Sequence, residues 1–142
     1  MALAVTLAYL VLRPAPALRQ DDLRATASPN AQADQPSAAE SGSYVDYRPG
    51  IIEATKGTKI LFFHAPWCPQ CRKLEQSIKA GTVPSGVTII KVDYDSNQTL
   101  RQKYGVTIQT TLVRVADGGA LVKRYVAYDT PSLAAVTVNL LR

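Results

Sequence analysis

The chain is poor in the residues from which most reactive centres are built. Its 142 residues include two cysteines, one histidine, one tryptophan and one methionine. Two cysteines and His64 fall short of the four ligands that a structural zinc site takes. Lys and Arg are scattered and form no run longer than two, so the basic stripe interleaved with aromatics that marks a nucleic-acid surface is missing and no nucleic-acid partner is expected. No internal repeat is present. Residues 1–43 contain no Phe, Trp or Ile, and no Gly before Gly42. From Arg13 to Ser43 they are dominated by Ala, Pro, Ser, Gln and Asp, and such a stretch buries too little apolar surface to offset its ordering entropy.

The apolar run Ala2–Leu12, interrupted only by Thr6, has eleven residues, where a bilayer span takes about 20. It matches the apolar part of a signal peptide, and Ala15-Pro16-Ala17 resembles a small-residue cleavage site. No Lys or Arg precedes it, so the segment fits either a weak signal or the tail of an anchor that begins upstream. The expected organisation is a signal- or anchor-like segment over 1–17, a disordered linker over 18–43, and a folded domain over 44–142. A domain on such a linker has reach from a membrane surface. The expected location is extracytoplasmic, secreted or membrane-tethered, with the cytoplasm as the alternative. Charge is uneven too. The part before Tyr44 carries three Arg against four acidic residues, and the remainder 13 Lys and Arg against seven Asp and Glu. Solubility and mild attraction to anionic surfaces follow from that excess.

What the domain does contain is Trp67-Cys68-Pro69-Gln70-Cys71, directly after the apolar run Ile60-Leu61-Phe62-Phe63. A strand ending in a CxxC that opens a helix is a redox arrangement. A structural disulfide across two residues would remove little entropy from the unfolded chain. A static pair of buried thiols stays open as an alternative. Cys68 at a helix N-terminus meets unpaired N–H groups and the positive dipole end, which favour a thiolate. Pro69 suits the first helical turn. Cys71, three residues on, shares the face of Cys68, so the pair can close a disulfide with little backbone movement. Arg72 and Lys73 add positive charge that should further depress the thiol pKa. Cys71, Leu74 and Ile78 form an apolar stripe, while Arg72, Lys73, Glu75, Gln76 and Lys79 are expected to face water. Gly81 ends the helix.

Strand and helix signals alternate through the domain. Tyr44–Asp46 reads as a short strand, followed after Pro49-Gly50 by a helical turn or two through Glu53 to Lys56. Lys59–His64 reads as a strand buried on both faces, and Val87–Val92 as a β-branched strand. Asp95 or Ser96 is expected to cap a helix carrying Leu100 and Tyr104 that Gly105 terminates. Thr111–Val115 and Leu121–Val126 flank Asp117-Gly118-Gly119, a hairpin signal. Thr130-Pro131 is expected to cap a last helix with Leu133, Val136, Leu140 and Leu141 on one face. The order β-α-β-α-β-α-β-β-α predicts an α/β fold with a mixed central sheet and helices on both faces.

Three segments now carry a family resemblance: Phe62-Phe63-His64-Ala65-Pro66-Trp67-Cys68-Pro69-Gln70-Cys71-Arg72-Lys73-Leu74, then Lys91-Val92-Asp93-Tyr94-Asp95, then Lys103-Tyr104-Gly105-Val106. Together they resemble the thioredoxin superfamily over roughly the last 95 residues, in the family's order. The resemblance implies a thiol–disulfide oxidoreductase acting on protein disulfides or dithiols, served by an upstream redox partner. Its only redox group would be the Cys68–Cys71 disulfide, with no bound cofactor or metal. Cys68 would be the exposed nucleophile and Cys71 the more buried resolving thiol. Trp67 would belong to a flat apolar docking rim, its bland alternative being a core tryptophan. Pro69, Gln109 and Thr110 would complete the substrate-binding surface.

Two positions depart from the family. Where thioredoxins carry a buried Asp, six residues before the first cysteine, this chain has Phe62, so slower deprotonation of Cys71 is expected. Where the family has a cis-proline, this chain has Thr110. A cis bond without proline costs about 2.5–4 kcal/mol, so a trans bond is expected there. The Thr110 hydroxyl would donate to the Cys68 thiolate, and the Gln109 backbone would pair with a substrate strand. Loss of that proline also raises a runner-up, a metal or iron–sulfur module with cysteines from two chains as ligands. His64, four residues before Cys68, fills an aromatic slot or tunes the Cys68 pKa.

Overall fold

The computed structural model describes residues 41–142. The segment 1–17 and most of the linker lie outside the described residues. The elements are β1 (Ser43–Asp46), α1 (Ile51–Ala54), β2 (Thr58–His64), α2 (Pro69–Ala80), β3 (Val87–Asp93), α3 (Gln98–Tyr104), β4 (Thr111–Val115), β5 (Leu121–Val126) and α4 (Leu133–Leu141). The order is the one the sequence predicts. Gly42 and Ser43, which the sequence assigns to the linker, are hydrogen-bonded into the domain. Ser43 already pairs with Thr88, and Gly42 donates its N–H to the Val83 carbonyl at 2.8 Å. Only glycine fits at 42, since a Cβ would lie 2.3 Å from the carbonyl oxygens of Pro84 and Val87.

The five strands form one sheet in the order β1-β3-β2-β4-β5. β1, β3 and β2 run parallel, β4 runs antiparallel to β2, and β5 antiparallel to β4. β2 is central, and its alternate residues supply both cores. Ile60 and Phe62 pack with Leu74, Ile78, Val136 and Leu140 of α2 and α4. Leu61 and Phe63 pack on the other side with Ile51, Ile52 and Tyr104 of α1 and α3. Each large apolar side chain so buried contributes about 1.5–3 kcal/mol. Lys59 is the exception in this strand. Its fully buried ammonium donates to the carbonyls of Thr55 and Gly57, both at 3.2 Å, and pairs with Asp117 at 2.6 Å.

Three helix boundaries differ from the sequence expectation. α1 runs Ile51–Ala54 and stops at extended Thr55, so it does not reach Lys56. α3 starts after Asn97 because Asp93 captures the N–H and hydroxyl of Ser96, closing a turn before the helix begins. α4 starts after Ser132, not Thr130-Pro131. The Ser132 hydroxyl accepts the Ala135 N–H at 3.2 Å, which is the N-cap bond. Gly105 ends α3 as expected, in the left-handed conformation at φ 62, and the Val106 N–H closes on the Arg101 carbonyl at 2.8 Å. Arg124 of β5 adds a second clamp by donating to the Tyr104 and Gly105 carbonyls. Among the described residues no helix is long and apolar enough to cross a membrane.

Candidate active site

The apolar strand β2 delivers the chain through Ala65-Pro66-Trp67 to Cys68, which is the N-cap of α2 with φ −83 and ψ 117. Pro69 occupies the first turn, where its missing N–H costs nothing. The Cys68 N–H bonds the Ala65 carbonyl at 3.1 Å, and Cys68 Sγ accepts the Cys71 N–H at 3.3 Å. The cysteine sulfur thus takes the place of the usual capping oxygen. Both cysteines are free thiols.

Opposite them stands Thr110, on the short segment between α3 and β4. Its N–H donates to the Phe63 carbonyl and its carbonyl accepts from Ala127, each at 3.0 Å. Its φ is 63, and among the described residues no peptide bond is cis. The hydroxyl lies 3.2 Å from Cys71 Sγ and 3.5 Å from Cys68 Sγ, and it is wholly buried. The expected contact with Cys68 is present, and the closer contact is to Cys71.

The two thiols sit in unequal environments. Burial pushes the Cys68 thiol up, but hydrogen bonds from Thr110 and from the Cys71 backbone outweigh it and leave its pKa below the ordinary value. For Cys71 burial wins over the bonds from Ala65 and Thr110, and its pKa is raised. What lowers the Cys68 pKa against burial is chiefly hydrogen bonding, not the charges of Arg72 and Lys73. Arg72 instead turns its guanidinium to the Pro66 carbonyl at 2.8 Å. A second correction concerns access. Cys68 is 1 % exposed, not a protruding nucleophile, because its sulfur is folded into the cap and against Thr110.

Trp67 is 57 % exposed, so it is no core residue, and its indole N–H donates to Asp95 at 2.8 Å. Ile108, two residues before Thr110, is likewise exposed and apolar. Gln109 is half-buried in the bend between them. Tyr94 holds this bend by donating its hydroxyl to the Thr107 carbonyl at 2.9 Å.

His64 is buried, edge-on to Phe62 with ring centroids 5.4 Å apart. Its Nε2 lies 3.2 Å from Glu75 Oε2 without the alignment of a hydrogen bond. Burial lowers its pKa, the nearby Glu75 carboxylate opposing only in part, so the imidazole is neutral at pH 7. Glu75 is the residue that sequence reasoning misplaced. It does not face water: its side chain is 15 % exposed and gathers Tyr44 at 3.2 Å, Lys79 at 2.8 Å and Lys91 at 3.3 Å. Burial works against the carboxylate, but the bonds from Lys79 and Lys91 prevail and hold its pKa at about 2. The Lys79 pair at i,i+4 was a local signal for this hub. Tyr44 and Lys91 arrive across the sheet, and no local pattern announces them. Beside the hub a groove of about 450 Å³ opens between Asp46, His64, Pro66, Lys91 and Asp93. Neither cysteine lines it.

Among the described residues no group of three or more His, Cys, Asp or Glu is placed to hold a metal ion. The thioredoxin family model matches residues 46–137, and so takes in both cysteines and Thr110. The chain belongs to the thioredoxin family. A protein disulfide-isomerase A3 from Gallus gallus is 32 % identical over 102 residues, covering 70 % of this chain and 19 % of that protein. A thioredoxin from Bacillus subtilis is 34 % identical over 68 residues, 46 % of this chain and 65 % of its own length. The chain thus spans less than two thirds of these curated relatives. Among solved structures, a thioredoxin variant from Halobacterium salinarum superposes with a TM-score of 0.55 at 28 % identity, over 70 % of this chain and 88 % of that one. The Edwardsiella tarda protein Trxlp shares the fold with a TM-score of 0.57 at 23 % identity, over 70 % and 99 % of the two chains. At the level of the family this thioredoxin domain falls among thiol–disulfide oxidoreductases.

Proposed function

We propose that the domain exchanges disulfides with protein substrates through Cys68 and Cys71. The observation that carries this reading is the separation of the two thiols, one below and one above its ordinary pKa, at one helix cap. Such a pair of opposed environments assigns roles. Cys68, the more acidic, attacks a substrate disulfide as thiolate and forms a mixed disulfide. Cys71, held protonated in the resting dithiol, gives its proton to the first departing substrate sulfur, and then as thiolate attacks Cys68 Sγ and releases the second substrate sulfur. The exposed apolar faces of Trp67 and Ile108 suit a protein chain better than a small thiol, because they offer contact area beside a recessed sulfur. An upstream dithiol or disulfide protein resets the pair.

The reduction potential of the couple, measured by equilibration with glutathione buffers, tests the reading. A value near about −270 mV makes the domain a reductant, and one near about −120 mV a disulfide donor. A pair that never equilibrates with glutathione overturns the proposal. So does stoichiometric iron or zinc in protein purified anaerobically, which would favour the metal-binding alternative. The proposal also holds the domain outside the cytoplasm, secreted or tethered through residues 1–17, on the strength of that apolar sequence and the polar stretch after it. Fractionation of cells making the full chain tests this; uncleaved protein confined to the cytosol would refute it.

A further inference from the structure

Thr110 combines two features that pull against each other. A β-branched residue in the left-handed region is strained, and Thr110 sits there at φ 63. The backbone is pinned in that conformation from both sides, by Phe63 of β2 and by Ala127 beyond β5. Glycine would relieve the strain but would bring no hydroxyl. The hydroxyl lies within reach of both sulfurs, 3.2 Å from Cys71 and 3.5 Å from Cys68, in a site closed to water. A hydroxyl carries one proton and two lone pairs, so it donates to one sulfur while accepting from the other. The nearby charged groups of α2 and the sheet are engaged among themselves: Glu75 with Lys79 and Lys91, and Lys91 also with Asp46.

We propose that the Thr110 hydroxyl is a catalytic donor with two positions, which follows the negative charge from Cys68 to Cys71 during the exchange. The inference rests on the thiol–disulfide reading given above. In the reduced domain the chain of bonds runs from the Cys71 S–H to Thr110 Oγ1, and from the Thr110 O–H to the Cys68 thiolate. Cys68 Sγ attacks the substrate disulfide; the new Cys68–substrate bond forms, the substrate S–S bond breaks, and one substrate sulfur leaves with the electron pair. That sulfur takes up the Cys71 proton and departs as a thiol. The charge now rests on Cys71, and rotation about the Thr110 Cβ–Oγ1 bond re-aims the same O–H at it, the shorter of the two contacts. Cys71 Sγ then attacks Cys68 Sγ. The Cys68–Cys71 bond forms, and the second substrate sulfur leaves as a thiolate. Two electrons pass from the dithiol to the substrate, and one proton and one negative charge are conserved. The backbone strain at 110 is the cost of placing a hydroxyl midway between two buried sulfurs.

Thr110→Val keeps the branched shape and removes the hydroxyl, and Thr110→Ser restores it. The first measurement is the pH profile of Cys68 alkylation in the reduced full chain. The second is the single-turnover decay of the mixed disulfide with a protein disulfide substrate. In the valine variant both alkylation at pH 6 and decay of the mixed disulfide should slow about tenfold, and serine should recover both to within about threefold. A folded valine variant that keeps either wild-type rate overturns the two-position role, as does a serine variant that recovers neither. If the valine protein does not fold, Thr110→Ala carries the same expectations against serine. A wild type that forms no mixed disulfide breaks the functional reading instead. The alkylation profile needs no substrate, so an unchanged profile in the valine variant still refutes the bond to Cys68.

Discussion

The turn from Pro66 to Cys71 and the turn from Ile108 to Thr111 meet at the same two sulfurs, yet the first is relaxed and local while the second is strained and held from a distance. In the first, the bonds that hold the backbone close within six residues: Cys68 to Ala65, Cys71 to Cys68, Arg72 to Pro66. Its dihedrals are ordinary for an N-cap followed by proline. In the second, Thr110 bonds Phe63 and Ala127, Tyr94 bonds Thr107, and Arg124 clamps the helix end that feeds the turn. The lesson is a division of labour. A local motif makes the nucleophile, and long-range hydrogen bonds set what stands over it.

The largest effects come from the local turn. Cys68→Ser should lower disulfide exchange on the order of a thousandfold or more, and Cys71→Ser should trap the mixed disulfide, visible as a covalent adduct under non-reducing conditions. Equal loss without any adduct in the Cys71 variant would erase the distinction between the two thiols.

A stability comparison of the two turns comes next. Thr110→Pro cannot keep φ 63 and loses the N–H that bonds Phe63, so denaturant unfolding should show a loss of about 3 kcal/mol. Pro66→Ala, in the relaxed turn, should cost less than about 1 kcal/mol. Similar costs at the two positions would break the contrast.

Smaller again is the hub behind the site. Glu75→Gln should destabilise the domain by about 1–2 kcal/mol, since Lys79 and Lys91 lose their common anion. The folded-state pKa of Glu75 lies below its ordinary 4.5, at about 2. The unfolded chain therefore takes up this proton first. The contribution is fully present above pH 4.5 and is lost as the pH falls through 2. Acid titration of stability should accordingly be shallower in the variant over that window, and an unchanged slope would show the hub to be inert.

The smallest expected effect is at His64. It is neutral and turned to Phe62 and Glu75, so His64→Phe should move the Cys68 pKa by less than about 0.3. A larger shift in the alkylation profile would make the imidazole part of the site.

Much of this molecule was legible in one dimension because its signals are local. The strand before the cysteines, the Cys71-Leu74-Ile78 stripe, the Gly105 stop and the Asp117-Gly118-Gly119 hairpin each depend on residues within one turn or one strand. The helix starts were less legible. Asp93 drew Ser96 into a turn ahead of α3, and Ser132 capped α4 over neighbours of similar capping strength; each outcome depended on where the preceding segment had been fixed. Glu75 was misplaced for a related reason. On its helix it borders the apolar stripe, and only β1 and β3 packing alongside bring Tyr44 and Lys91 to it.

By itself the sequence determined the order of elements, the central buried strand, and the pairing of an acidic cysteine with a partner one turn away. These follow from periodicity, from capping and from proline and glycine chemistry, all short-range physics. Tertiary structure alone decided that Cys68 is recessed, that Glu75 is a buried anion, and that Thr110 adopts a left-handed conformation with its hydroxyl between the sulfurs. Those outcomes rest on hydrogen bonds between residues far apart in the chain. Such bonds exist only once the sheet has brought Phe63, Thr110 and Ala127 together.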